Sequence, residues 1–303
     1  MIRRSARPRS LRATIVLVVV SGTLSACSPK TDTTIDVSPN AHIQIQNFAG
    51  SIRVHGWDRS AVRIAAGQSR ENEVRVVTRG SGVAITTVGK SGVPGPLDYE
   101  LSVPVGAALE IVGTYTAIEI DGVHGPVSAA TVQGDVRLRG GSGVSLKSVE
   151  GTVVVEDATG RVEVNGVNKG LVLRNVDGEI AAETVNGSIE MTGIRSSAVD
   201  AETVNGSVTY VGTIRDRGHY RFGSHTGTVA VAIPASTNAT VAATTYQGRL
   251  TSRLPMPNVV ADSGPGPRRH AFTVGDGSAR IEAESFQGDV VLARPDDAAM
   301  RPR

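Results

Sequence analysis

Aromatic residues are scarce in this chain, as Phe, Trp and Tyr together make up only 3% of its 303 residues. So few rings disfavour a platform on which nucleic-acid bases could stack. The chain has one cysteine, Cys27, so no disulfide within it is expected. Beyond residue 26 no long stretch repeats its apolar residues at a helical spacing. These absences leave an all-β protein that is stabilised by packing rather than by covalent cross-links.

Positive charge is also scarcer than the composition first suggests. The chain has 31 Lys and Arg against 29 Asp and Glu, but five of the arginines lie within residues 1–26. Those residues contain no acid, so the chain from Cys27 onward carries 26 basic and 29 acidic residues. No basic stripe interleaved with aromatic residues remains. We therefore expect no nucleic-acid partner.

What the sequence has instead is repetition. The seven residues Ala182–Ser188 recur without change as Ala201–Ser207, a shift of 19 residues. A period near 20 residues is typical of proteins built from stacked repeats, because so short a unit must bury its apolar face against its neighbours.

The repeated unit is an apolar residue, a glycine two positions later and another apolar residue two positions after that. Instances centre on the glycines at positions 134, 151, 178, 187 and 206, and looser copies on those at 50, 160, 227, 248 and 288. Asn-Gly and Asp-Gly turn the chain easily, and the residues that follow alternate between apolar and polar, as strands do. This pattern predicts a parallel β-helix, or β-solenoid, with rungs of about 20 residues. An antiparallel β-sandwich is the alternative, because Asn-Gly also marks hairpins.

In parallel rungs, residues at the same offset from the glycine lie one above another. We therefore expect Val185 to stack on Val204 in the interior, and Ile189 on Val208, with Thr203 facing outward. Asn186 and Asn205 are then expected to form a ladder of side-chain amides.

The chain divides into five segments on this interpretation. The tether is polar, the next segment is β-rich without a tidy repeat, and the loop is rich in Pro and Gly. The segments are a signal peptide at 1–26, a lipid-anchored tether at 27–40, irregular β rungs or a cap at 41–110, β-solenoid repeats at 111–294 with a loop at 255–270, and a disordered tail at 295–303.

The N-terminal residues have the pattern of a secretory signal peptide. Arginines are followed by an apolar stretch at 13–20, too short to span a bilayer, and then by Leu24-Ser25-Ala26-Cys27. This tetrapeptide resembles the lipobox of bacterial lipoproteins, in which the cysteine is acylated and becomes the mature N-terminus. The resemblance implies a membrane anchor at Cys27. Ser28 follows the cysteine, which favours the outer membrane, on its periplasmic or its surface face.

Chemically reactive residues are scattered rather than clustered, so we predict no catalytic, cofactor-binding or metal-ligating residues. Stacking would align Glu183 with Glu202, a candidate cation or sugar site. His219 and His225 are six residues apart and could meet a carboxylate such as Asp216. The sole tryptophan, at 57, is a candidate anchor for the N-terminal cap or a sugar-stacking residue.

An exported start, the segment Phe48–Asp58 and serial Val-x-Gly-x-Val units resemble the "putative adhesin" or DUF4097 family of bacterial β-strand-repeat proteins, over residues 41–292. The resemblance implies an exported β-solenoid and brings no catalytic residues. We expect a non-enzymatic cell-envelope lipoprotein that acts as an adhesin or binding module, with an envelope protein or a glycan as candidate ligand. A structural, self-assembling envelope protein and a carbohydrate-active β-helix enzyme are the alternatives.

Replacing Cys27 tests the anchor. Cys27→Ala should leave the chain unacylated and block its maturation, because no other thiol can take the lipid. Metabolic labelling with a fatty-acid analogue measures this, and equal labelling of the variant and the parent would exclude the lipobox.

Overall fold

The structure, a computed structural model, describes residues 30–67, 71–254, 260–261, 267–297 and 300. These residues are all-β, with no α-helix among them. The strands are β1 Lys30–Asp36, β2 His42–Trp57, β3 Ala61–Gly67, β4 Asn72–Arg79, β5 Gly82–Gly89, β6 Tyr99–Pro104, β7 Ala108–Val123, β8 Val127–Gln133, β9 Val136–Gly140, β10 Ser142–Glu150, β11 Val153–Glu156, β12 Thr159–Gly166, β13 Leu171–Arg174, β14 Ile180–Thr184, β15 Ile189–Asn205, β16 Val208–Thr226, β17 Val229–Ala232, β18 Ala239–Thr245, β19 Leu250–Ser252, β20 Val260–Ala261, β21 Arg268–Val274, β22 Ala279–Ser285 and β23 Val290–Ala293.

Strands of successive repeats pair in parallel. Val153 of β11 lies opposite Leu171 of β13, and Leu171 lies opposite Ile189 of β15, each at a shift of 18 residues. Ile189 in turn lies opposite Val208 of β16, at a shift of 19 residues. The repeats therefore do not form the antiparallel sandwich that was the alternative, because residues 189–192 and 208–211 run in the same direction.

The residue that follows each glycine by two positions forms the core. Ile189 and Val208 pair with one another and are both fully buried, as predicted. Burying an aliphatic side chain of this size contributes about 1.5–3 kcal/mol. The same inward position is held by Val136, Val153, Val229 and Val290, and by Leu171 in the repeat where Lys169 stands in place of the glycine; none of these residues has exposed surface.

The prediction that Val185 and Val204 lie inside is wrong. Val185 is 41% exposed and Val204 is 44% exposed, whereas Thr203 is only 5% exposed. The inward alternation runs through Val199, Ala201 and Thr203 to the end of the strand, so the valine just before the Asn-Gly turn points outward. The chain tolerates a buried threonine because its hydroxyl finds a partner.

That partner is the backbone of the preceding repeat. Thr203 Oγ1 donates to the carbonyl oxygen of Gly187 at 2.8 Å, and Ser224 Oγ donates to that of Gly206 at 2.8 Å. A buried hydroxyl without a partner would cost about 1–3 kcal/mol. Equivalent bonds to a neighbouring repeat are made by Thr131, Ser148, Thr184, Ser285 and Thr245.

The glycines are required by the closeness of these repeats. A Cβ on Gly206 would lie 2.0 Å from the carbonyl oxygen of Gly187, and one on Gly227 would lie 2.0 Å from that of Gly206. No side chain fits such a gap. At Gly227 the backbone also has a φ of 150°, which disfavours any residue with a side chain.

The N-terminal part pairs differently from the repeats. β2 pairs in parallel with β7 on one side and with β5 and β6 on the other. β4 is antiparallel to β5, and β3 is antiparallel to β6. β1 is antiparallel to β3, so residues 30–36, within the segment assigned to a tether, form a strand.

The last two repeats are exchanged in space relative to their order in the sequence. β22 lies between β16 and β18 and pairs in parallel with both. A Cβ on Gly288 would accordingly meet the carbonyl of Gly227, and one on Gly248 would meet that of Gly288. Between Gly248 and Gly288, which are 40 residues apart, the chain runs outward past β18 and then returns to its inner side. On this path β21 pairs antiparallel with β18. Of the loop predicted at 255–270, residues 255–259 and 262–266 lie outside the described residues.

Gly206→Ala should destabilise the protein by on the order of 3 kcal/mol, because the new methyl group meets a backbone oxygen that cannot move aside. Gly67→Ala is the matched control, since a Cβ there has nothing within 4 Å. Chemical denaturation measures both. Equal midpoints for the two variants would contradict the close packing of the glycines.

Asp substitutions test which residue points inward. Thr203→Asp should cost at least about 3 kcal/mol, because it buries a carboxylate against a carbonyl oxygen. Val204→Asp should change the free energy of unfolding of the single chain by no more than about 0.5 kcal/mol, because that side chain is exposed. This order is the reverse of what the sequence pattern predicted, and denaturation curves in which Val204→Asp is the more damaging variant would restore that prediction.

Candidate binding site

Residues on or next to β12, β14, β15, β16 and β22 line a shallow depression of about 430 Å³, which we call the charged depression. Its lining includes three arginines, three carboxylates and one histidine. These are Arg161, Arg221, Arg280, Glu179, Asp200, Glu282 and His219.

Small side chains create the depression. Ala181 and Ala198 both line it, at outward positions where the neighbouring strands carry long charged residues. Ala181 pairs with Asp200, which pairs with Arg221, and Ala198 pairs with His219. The alanines therefore form the floor, and the charged side chains form the walls.

A buried tyrosine fixes the backbone beneath this floor. The register between β15 and β16 shifts between Ser196 and Ala198. At that point the Tyr220 hydroxyl donates to the Ser196 carbonyl oxygen at 2.5 Å and accepts from the backbone NH of Arg215 at 2.8 Å. Burial raises the pKa of Tyr220, so the hydroxyl keeps its proton and remains a donor. Ring contacts with Tyr210, which in turn packs on Phe222, complete the support.

Most charged groups in the walls pair with one another. Arg161 lies 3.6 Å from Glu179, and Arg280 Nε donates to Glu282 at 2.7 Å. These side chains remain largely exposed, so each pair contributes at most about 1 kcal/mol and opens readily to a ligand. The side chains of Asp200 and His219 make no hydrogen bond or ion pair within the described part of the chain, so their polar side-chain atoms are available.

The residues that line the depression carry three guanidinium groups and three carboxylates, and one of these arginines, Arg221, also pairs with Glu202 beside the depression. Such a surface attracts neither a polyanion nor a cation strongly, but it offers many donors and acceptors in a small area. With a methyl-lined floor, this arrangement suits a neutral ligand that carries several hydroxyl groups.

Glu183 and Glu202, the carboxylates predicted to align, do lie next to each other, but they do not form a cation site of their own. Glu183 lies opposite Glu202 in neighbouring strands, as expected. Glu202 pairs with Arg221 at 2.8 Å, so a guanidinium offsets one of the two negative charges. Among the described residues, no group of three or more His, Cys, Asp or Glu side chains could hold a metal ion.

The amide ladder is confirmed and is longer than predicted. Asn205 Nδ2 donates to Asn186 Oδ1 at 2.8 Å, and Asn186 Nδ2 donates to Asn168 Oδ1 at 3.2 Å. The ladder links three consecutive repeats at the turn, where side-chain amides can bond both upward and downward.

The two histidines of interest lie apart. His219 lines the charged depression, whereas the His225 ring stacks on Phe286 with centroids 4.8 Å apart. Asp216 accepts hydrogen bonds from Asn238 and Ser278 instead of from either histidine.

Trp57 closes the turn between β2 and β3. Its Nε1 donates to the Ala61 carbonyl oxygen at 2.8 Å, and the Arg59 guanidinium lies 5.2 Å from the ring centroid. Trp57 thus has a structural role at the N-terminal part of the fold. Cys27 and the signal peptide at 1–26 lie outside the described residues.

Sequence reasoning missed the charged depression because its walls come from residues as far apart as Arg161 and Glu282. The detectable signal was the pair Ala181 and Ala198, small outward residues in a region where neighbouring strands place charges. Without the pairing register, nothing in the sequence places these alanines together.

Within the described ranges no helix has the length and apolarity to cross a bilayer. The chain matches no protein-family model and no curated protein. Among solved structures it is similar to a putative cell adhesion protein from Clostridium sporogenes, with 10% identity, a TM-score of 0.22, and coverage of 88% of this chain and all of that one. It is also similar to putative adhesins from Parabacteroides merdae (10% identity, TM-score 0.42, 87% and 95% covered) and Parabacteroides distasonis (11%, 0.41, 88% and 97%).

Proposed function

We propose that this chain is a non-enzymatic lipoprotein of the bacterial cell envelope, of the adhesin type, which binds a neutral glycan in the charged depression. The observation that carries the proposal is the depression itself, with its balanced charges and its unpaired Asp200 and His219. Each further part of the proposal rests on a separate feature of the chain.

A β-solenoid is the architecture that best accounts for the pairing. From β11 to β16 the paired strands shift by 18 or 19 residues and keep their direction, which is what turns stacked one on another would produce. The stack exposes a row of outward positions whose side chains are free of packing constraints. Such a scaffold suits binding, because its outer residues can vary while the core remains the same.

The anchor sets how far the depression stands from the membrane. A lipid on Cys27 would lie three residues before β1, so the N-terminal part of the stack would face the bilayer. Parallel pairing then leads from β2 through β7, β8, β10, β12 and β14 to β15. At about 4.8 Å per strand, these six steps raise the depression by roughly 29 Å. A ligand outside the lipid headgroups would be within reach.

A glycan screen tests the function. The unlipidated chain from Ser28 onward should retain a neutral oligosaccharide or envelope glycan on an array, and Asp200→Ala should weaken that binding about tenfold. The expected loss follows from removing a charged acceptor, which contributes about 1.5–3 kcal/mol. Calorimetry measures the affinity.

Asp58→Ala is the matched control, because Asp58 is also exposed and has no partner among the described residues but lies on the β2–β3 turn. Its affinity should equal that of the parent chain, and neither variant should change the free energy of unfolding by more than about 0.5 kcal/mol. Equal affinities for the two variants, or a screen that retains no glycan, would contradict the proposal.

A further inference from the structure

Exposed large apolar residues concentrate at one position of the repeat. Nine are found among the described residues, and six of them stand two residues before a repeat glycine. We call these six the apolar ridge, which consists of Val132, Val149, Val185, Val204, Phe286 and Tyr246. Their exposed fractions range from 37% to 48%, so each side chain offers much of its surface to solvent.

The ridge is continuous along the stack. Val167 and His225 hold the same position on the two intervening repeats. Backbone hydrogen bonds connect successive members, since Asn186 N donates to Val167 O at 2.6 Å and Asn205 N donates to Val185 O at 2.7 Å. At the other end, the Phe286 ring lies 4.8 Å from His225 and 5.2 Å from Tyr246. Eight positions about 4.8 Å apart span roughly 34 Å.

This line of side chains is large for a soluble surface. The exposed parts of the ridge amount to an apolar area on the order of 500 Å², which is comparable to the largest patch on a typical monomer, and such a patch is often functional. The exposed polar row beside it enlarges this surface, and a standard protein interface takes about 800 Å² from each partner.

The polar row beside the ridge indicates what the partner is. Its members are uncharged except for Glu150, and run Gln133, Glu150, Asn168, Asn186, Asn205, Thr226, Gln287 and Gln247. A row with so little charge selects neither an acidic nor a basic partner. Amides donate and accept, so the row can pair with a copy of itself without placing a line of like charges face to face.

The spacing of the ridge residues also favours a second copy of this chain as the partner. A surface that repeats at the strand spacing is matched along its whole length only by a partner with the same period. A second copy of the ridge has that period by construction. If both copies are anchored at Cys27 in one membrane, their stacks point the same way, and a two-fold axis along the stack brings each residue against its own counterpart.

We propose that the apolar ridge is the interface of a homodimer, in which two stacks lie side by side in the same direction. Valines then meet valines at one end, and the aromatic residues meet at the other. The orientation rests on the proposed lipid anchor, whereas self-association through the ridge does not depend on glycan binding.

Cysteine cross-linking in membranes tests both the contact and the direction. Val132→Cys and Tyr246→Cys, made separately in the full-length anchored chain, should each form a disulfide-linked dimer on mild oxidation. Cys27 is the chain's only native cysteine and would be occupied by lipid, so it does not interfere. Val93→Cys is the control, because Val93 is 75% exposed but off the ridge, and it should stay monomeric.

The two ends of the ridge distinguish the arrangements. In an antiparallel pair, the two copies of Val132→Cys would be far apart and neither end would cross-link to itself, which would overturn the proposed direction. Cross-linking of all three variants to the same extent would mean random collision and would overturn the interface.

A charge on the ridge supplies the second measurement. Val204→Lys in the full-length chain, extracted in mild detergent, should raise the dimer dissociation constant at least tenfold by mass photometry, whereas Val93→Lys should leave it unchanged. A parent chain that is monomeric at all concentrations and gives no cross-link in membranes would overturn the proposal. So would a monomeric chain whose ridge binds another macromolecule in a Val204-dependent way.

Discussion

The close approach of backbone to backbone at the glycine turns is the constraint on which the rest of the structure depends. Gly206 lies so near the Gly187 carbonyl that no Cβ fits, and the same carbonyl accepts a hydrogen bond from Thr203. One glycine and one hydroxyl thus fix the distance and the register between two repeats. The buried aliphatic residues two positions further on then contact their equivalents without any separate specification.

Because the turns fix the register, the side chains at outward positions are not needed to hold the repeats together. Ala181 and Asp200 can differ in size and charge although they occupy paired positions, and this difference creates the charged depression. The apolar ridge is also an outward row, but there the same chemical character is kept on nearly every repeat. A row that stays uniform and a patch that varies are what one expects of a self-contact and of a ligand site, respectively.

The sequence alone predicted which residues of successive repeats pair, but it was less successful where a position departs from the repeat pattern. The shift of 19 residues correctly placed Ile189 against Val208 and Asn186 against Asn205. It misplaced Val204, because hydrophobicity suggested burial while the alternation from Val199 through Thr203 decided otherwise. The charged depression could not be predicted, because it needs the pairing of five strands that are distant in sequence.

The sequence also did not predict the exchange of the last two repeats. The glycines at 248 and 288 carry the same local motif, so their order in space cannot be read from it. Only the pairing of β22 with both β16 and β18 shows which repeat lies inside.

That exchange has a consequence for how the chain reaches its final form. A stack whose repeats follow the chain order can grow one turn at a time as the polypeptide emerges. Here β18 has no final partner on its inner side until β22, some 40 residues later, has been made. The terminal turns must therefore form together, after the residues up to Ala293 have been synthesised. Contacts of such long range are slow to form. A chain cut short after residue 252 would expose the pairing edge of β16 and an unfilled end of the core, and truncation there should abolish the end of the stack rather than merely shorten it.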